Sequence, residues 1–213
     1  AEMRKIMESK EMKFSERLQR QLEFCREIDK EKFIGRQTYL SDGERKENDA
    51  EHAWHMAVMT VLLSEYANEK IDVLKTITML LIHDIVEIDA GDTYAYDDEA
   101  KKTQRQRETA AADRIFGMLP DDQRDKLRGL WEEFEAGKTP EAKFAHTMDN
   151  FQPTLLNDMT NGKSWMERGV HLSQILERNR NTELGSRELW NYSLNKMLLK
   201  NVKNKKIIDD VNK

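Results

Sequence analysis

Apolar residues recur along most of this chain three or four positions apart, the spacing of a helix face. Leu18, Leu22, Cys25 and Ile28 predict a helix over about 15–30 with that stripe turned inward. A second helix is expected over about 50–68. A third, over about 72–86, is apolar on most sides, with Val73, Leu74, Ile77, Met79, Leu80, Leu81, Ile82 and Ile85, and is therefore expected to be buried. The stretch 32–49, with its Ser41-Asp42-Gly43 turn signal, reads as a loop. Further helices are expected over about 99–118, stopping before Pro120, and over about 121–135, ended by Gly137. Thr139-Pro140-Glu141 opens the next one, because proline suits the first helical position, while Pro153 is expected to kink or shorten it. Two more follow, over about 165–179 and 185–200. No alternating apolar–polar run bounded by turn residues stands out. The expectation is an all-α fold: one multi-helix domain over 1–213, with a core over about 15–200, flexible termini, and the second, third and sixth helices threading the centre.

Composition narrows the function classes. Among 213 residues there are only 9 Gly and 3 Pro, in keeping with helix. Thirty-five Lys+Arg against 40 Asp+Glu leave a net charge of −5, which argues against a nucleic-acid polymer as partner. No apolar run approaches the ~20 residues of a membrane span, and the first residues lack a signal-peptide pattern, so no membrane partner and a cytoplasmic location are expected. The single cysteine, Cys25, excludes an internal disulfide and a multi-Cys zinc site, and its apolar stripe makes it buried filler. The Lys-rich segment 196–206 reads as a solvated final helix. No glycine-rich phosphate loop is present.

Chemistry concentrates at a few positions. His83-Asp84 ends the most apolar helix, where a buried carboxylate is costly unless it is paired or bound to a cation. Taken alone, the pair also reads as a helix-end cap beside a solvent-facing carboxylate. His52 and His55 share a face of the second helix, and Asp149 sits mid-helix among apolar residues. Between them lies an acidic loop with Glu87, Asp89, Asp92, Asp97 and Asp98. Together His52, His83, Asp84 and Asp149 would offer two imidazoles and two carboxylates, a set suited to one divalent metal ion. Mn, Co, Ni, Zn, Fe and Mg all stay open. His55, His146 and His171 read as supporting or packing residues.

The order His52, His83-Asp84, Asp149 resembles the HD-domain metal-dependent phosphohydrolases, and the flanks sharpen the likeness. Glu47-Asn48-Asp49-Ala50-Glu51-His52 and His83-Asp84-Ile85-Val86-Glu87, followed by Gly91-Asp92, resemble the 5′-deoxynucleotidase-like branch. Lys143-Phe144-Ala145 and Asp149-Asn150-Phe151-Gln152-Pro153 are similar to a bacterial subgroup of it. The resemblance covers about 15–200 and implies a single compact HD-domain helical fold. It implies metal ligation by His52, His83, Asp84 and Asp149 at a mononuclear site, since no consecutive His-His-Asp-Asp cluster is present. It implies an acid/base or water-orienting role for Glu87, a substrate-side or proton-relay role for Asp92, and a phosphate contact for Arg36. Gln37 stands where deoxynucleotidase members place a tryptophan, so weak discrimination between ribose and deoxyribose is expected.

The implied function is a phosphomonoesterase acting on nucleoside 5′-monophosphates or similar small phosphate esters by attack of a metal-activated water. The alternatives are a phosphodiesterase or other hydrolase on the same fold, and a non-catalytic nucleotide-binding or protein-interaction module. The implied partner is a small phosphorylated molecule, and exposed helices are compatible with a homodimer.

Overall fold

Helix starts in this protein follow its capping residues. The computed structural model describes residues 14–91 and 98–211, with backbone alone over 98–101. Ser15 accepts from the Leu18 amide to start α1 (Glu16–Glu27), which runs on into a 3₁₀ turn, Ile28–Phe33. Asn48 and Glu51 form a reciprocal capping box that starts α2 (Asp49–Leu63). Asp72 caps α3 (Val73–Ile82), and a short α4 (Glu87–Ala90) follows. Then come α5 (Asp98–Gly117) and α6 (Asp121–Ala136), the latter ended by left-handed Gly137. Thr139 caps the long α7 (Pro140–Met159). The C-terminal part is built from short pieces: α8 (Lys163–Arg168), α9 (Leu172–Arg178), α10 (Thr182–Gly185), α11 (Arg187–Tyr192), a π turn over Ser193–Leu198, and α12 (Leu199–Lys203).

The central core joins the helices expected to thread it. Met56 and Met59 of α2, Met79 and Leu80 of α3, and Phe144, Met148 and Phe151 of α7 pack in one cluster with Phe134 of α6. Each large apolar side chain so buried contributes roughly 1.5–3 kcal/mol. A second cluster joins Phe24, Ile82, Ile85, Ile115, Phe116 and Trp131, and a third, around Trp165, Leu172, Ile175 and Leu198, holds the C-terminal helices. Among the described residues no helix is long and apolar enough to cross a membrane.

Several expectations are corrected. The 32–49 stretch contains an antiparallel hairpin, β1 (Gly35–Tyr39) with β2 (Lys46–Asn48), closed by Gly43 at φ 72°. Its strands are too short to show alternation. The stripe on α1 faces outward: Leu18 is 38% and Leu22 46% exposed, and Cys25 is exposed rather than filler. Polar anchors turn this helix instead. Arg20 donates to the carbonyls of Gly117, Met118 and Leu119 at the end of α5, Gln21 donates to Gln123, and Arg17 pairs with Asp122. Phe24 is then the apolar residue that packs inward. Helix α3 is buried on one face only, with Leu74 75% exposed, and it ends at Ile82 rather than near 86. Pro153 does not shorten α7, which runs on to Met159. The two C-terminal helices are broken into shorter pieces by Gly169, the Asn179–Asn181 turn and Ser186. His171 lies at the surface, 3.2 Å from Asp210.

Candidate metal centre

Three helices bring the predicted ligands together. His52 comes from the second turn of α2, His83-Asp84 from the residues that end α3, and Asp149 from the middle of α7. The ligand atoms of His52, His83 and Asp149 all lie within 4.8 Å of one another. His52 Nε2 is 3.1 Å from Asp149 Oδ1, and His83 Nε2 is 3.9 Å from the same oxygen. Asp84 Oδ1 lies 3.0 Å from His83 Nε2, so adjacent side chains at a helix end do converge on one region of space. Pro153 has no N–H for the carbonyl of Asp149, so the helix ladder lacks a bond beside this residue.

The groups behind the ligands fix their tautomers. Glu47 Oε2 accepts from Gln152 Nε2 at 2.8 Å, which turns the amide oxygen of Gln152 toward His52. His52 Nδ1 then donates to that oxygen at 2.8 Å. His83 Nδ1 donates to the Leu80 carbonyl at 2.9 Å. Each imidazole thus holds its proton on Nδ1 and, when neutral, presents the Nε2 lone pair to the cluster, as a metal-ligating histidine does. His55 Nδ1, 3.1 Å from the Gln152 amide nitrogen, braces the same network.

Electrostatics point the same way. Burial, with Arg36 nearby, lowers His52 to about 4 and keeps it neutral, although Asp149 opposes the shift. Its lone pair and Asp149 Oδ1 are then two acceptors facing each other at 3.1 Å, a repulsive pair that a cation relieves. Burial also lowers His83, but Asp84 and Asp149 outweigh it and raise the group well above its ordinary value. A cation in the cluster displaces that proton. Burial works against ionisation of both carboxylates. His83 and Arg36 nonetheless hold Asp84 well below the usual range, and His83 and Arg178 do the same for Asp149. His83 Nε2 is buried and makes no hydrogen bond. The donor set of His52, His83 and Asp149 therefore fits a divalent metal ion.

A cavity of about 470 Å³ opens over His83, Asp84 and Asp149, within the range of small-ligand sites. Glu87, on the first turn of α4, is buried and lines it. Asp92 lies outside the described residues. Arg36, on β1, also lines the cavity, but most of its guanidinium faces carboxylates. Its Nη1 lies 2.8 Å from Asp84 Oδ2 and 3.1 Å from Asp49 Oδ1, and its Nε is 3.5 Å from Glu47 Oε1. These carboxylates outweigh its burial and raise it above its ordinary value. Arg36 therefore orients the carboxylate of Asp84, and its Nη2 is the nitrogen left outside these contacts. Arg45 pairs with Glu51 and lines no part of the cavity. His146 stacks on Phe134 and donates to its carbonyl at 2.8 Å, so its packing is that of a core histidine at the cavity edge.

Residues not singled out as site residues from the sequence also converge here. Glu47 and Gln152 were visible only as flanks of the motif segments; their 2.8 Å contact spans 105 positions of chain. Arg178, at the end of α9, carried no sequence signal beyond a cation in a last helical turn.

A family model described as an HD domain matches residues 28–190. The chain is 33% identical to the 5′-deoxynucleotidase HDDC2 of Xenopus laevis over 112 residues, 53% of this chain and 54% of that one. It is 30% identical to the human 5′-deoxynucleotidase HDDC2 over 135 residues, 63% of this chain and 65% of that one. The chain thus spans about half to two thirds of the length of these curated relatives. The crystal structure of a predicted metal-dependent phosphohydrolase from Magnetospirillum magnetotacticum superposes with a TM-score of 0.85. It is 44% identical and is matched over 90% of this chain and 96% of its own. A protein from Pyrococcus furiosus shares the fold alone, at 22% identity and a TM-score of 0.58. With the family model matching residues 28–190, well over half of the chain, the chain belongs to the HD-domain family.

Proposed function

We propose that this protein is a metal-dependent phosphohydrolase that cleaves nucleoside 5′-monophosphates. The observation that carries the reading is the pair of histidines whose Nδ1 atoms are engaged by Gln152 and the Leu80 carbonyl, so that their Nε2 atoms face Asp149 and Asp84 beside the cavity. The names of the human and Xenopus relatives support a nucleotide substrate, and that of the Magnetospirillum structure supports metal-dependent phosphohydrolysis. His52, His83, Asp84 and Asp149 would hold the ion. When bound, a divalent ion supplies Lewis acidity toward a phosphate oxygen and lowers the pKa of water toward ~7.

The chain's own groups do the rest. Glu87, buried at the cavity wall, takes the proton from the attacking water and can return it to the leaving 5′-oxygen. Arg36 holds Asp84 in place through Nη1 and turns its remaining nitrogen to the phosphate. Asp92 orients the leaving group. Gln37, also at the cavity, has its amide oxygen taken by Lys46 at 2.7 Å and by Arg168. Its amide nitrogen can therefore donate to a sugar hydroxyl, which supports weak discrimination between ribose and deoxyribose. The exposed apolar face of Trp54, Val58, Val61 and Leu62 on α2, beside Leu74 on α3, supports a homodimer. The lone thiol fits a reducing cytoplasm.

The test is paired kinetics on AMP and dAMP with the metal-loaded protein, and with Arg36→Ala. Comparable turnover of both, falling in the variant, is expected. A strong deoxyribose preference would refute the role given to Gln37. Turnover of phosphodiesters alone would transfer the site to the phosphodiesterase alternative.

A further inference from the structure

Asp149 divides its two oxygens between two neighbours. Its Oδ1 faces the imidazoles of His52 and His83, and its Oδ2 lies 3.6 Å from Nη2 of Arg178. That distance is beyond the 2.7–3.2 Å of a hydrogen bond, so the guanidinium is near the carboxylate without being locked to it. Arg178 is the last residue of α9, its side chain is 35% exposed, and it lines the cavity. Arg36 also lines the cavity, but its side chain is 12% exposed and three carboxylates surround it. Lys143, the third cation lining the cavity, leans toward Glu69 at 3.6 Å.

A phosphate monoester arriving at an ion held by Asp149 brings two negative charges, which the ion and Arg36 together do not neutralise once Asp84, Asp49 and Glu47 are counted. Arg178 lines the cavity at the second oxygen of Asp149, away from the one that faces the imidazoles, with a planar fork suited to phosphate oxygens. We infer that Arg178 binds the phosphate of the substrate, approaching it from the Asp149 side of the cavity. The inference rests on the phosphohydrolase reading above.

The experiment uses the full chain loaded with Mn(II). Binding of inorganic phosphate is measured by titration calorimetry, metal content by elemental analysis, and KM and kcat on a nucleoside 5′-monophosphate. Arg178→Ala is expected to weaken phosphate binding and raise KM about 10- to 100-fold with metal content unchanged, and Arg178→Lys to recover part of that loss. Arg180→Ala, at an exposed side chain paired with Glu177, is expected to match the wild type. Unchanged phosphate affinity in Arg178→Ala would overturn the inference. So would loss of the metal, which would make Arg178 a positioning residue for Asp149. If the wild type turns over no monophosphate yet binds phosphate through Arg178, the hydrolase reading fails and this one stands. If the loaded wild type binds no phosphate, both fail.

Discussion

Gln152 shows how much chemistry can hang on the direction of one amide. Its nitrogen faces Glu47 and its oxygen faces His52, so the proton of His52 stays on Nδ1. Removing the amide frees the imidazole to flip or change tautomer. Gln152→Ala is therefore expected to weaken metal binding about 10- to 100-fold, read by competition with a chelating dye, while His83 and Asp84 stay in place. Unaltered affinity would show that the tautomer is set by something else. Glu87 separates differently. The role proposed for it is to move a proton rather than to ligate, so Glu87→Ala is expected to keep the metal and lose roughly 10²–10⁴ in kcat. A metal-loaded variant with full turnover would remove Glu87 from the mechanism. At this scale the candidate positions His52, His83, Asp84 and Asp149 stood out in the sequence through their order, their apolar settings and the family resemblance, and the structure brings His52, His83 and Asp149 within 4.8 Å of one another with Asp84 beside His83. Their supports did not stand out. The bond between Glu47 and Gln152 joins residues far apart in the chain, and local patterning carries no record of it.

Elements were legible where a cap or a glycine marks them. Asn48, Asp72, Thr139 and Gly137 set helix ends that the structure keeps within a few residues. What patterning missed was which face turns inward. Leu18 and Leu22 lie on a helical stripe, yet the contacts of Arg17, Arg20 and Gln21 with the α5–α6 corner hold α1 with that stripe outward. The hairpin was missed because its strands are five and three residues long. Helix α10 packs against α7 at Gly185 with no room for a side chain: an added Cβ would lie 2.3 Å from both the Lys143 carbonyl oxygen and Thr147 Oγ1 of α7. Neither neighbour can retreat without moving the helix that carries Asp149. Gly185→Ala is expected to destabilise the protein by about 1–3 kcal/mol or more in urea unfolding. A variant of wild-type stability would mean that α10 can shift away from α7 at little cost.

Across the whole molecule, the charged groups collected around the site make stability depend on pH. Burial, reinforced by the charge of Asp84, pushes Glu31 up to about 7 from an ordinary 4.5, and its Oε1 is buried without a hydrogen-bond partner. The folded state therefore holds this proton more tightly than the unfolded chain does. The stability it lends is complete below the ordinary value and is lost as pH rises through the folded one. Glu31→Gln cannot ionise. It is expected to be more stable than wild type by about 1–3 kcal/mol near pH ~8, with the difference vanishing near pH ~5. A gain independent of pH, or a loss near pH ~8, would contradict the assignment.

The largely helical plan and the central core of α2, α3 and α7 followed from periodicity, whereas the cavity did not, because its walls come from many elements, from β1 to α10, that meet only in three dimensions. The claim that joins these scales is that the His52–His83–Asp84–Asp149 cluster holds one ion that the hydrolysis requires. The measurement is phosphate release from a nucleoside 5′-monophosphate as chelator-treated protein is titrated with Mn(II). The account predicts no release without metal, a rise that levels off at about one ion per chain, and no rise in the His83→Ala, Asp84→Ala double variant. Full turnover by the metal-free protein or by the double variant, or none by the wild type at any loading, would contradict it.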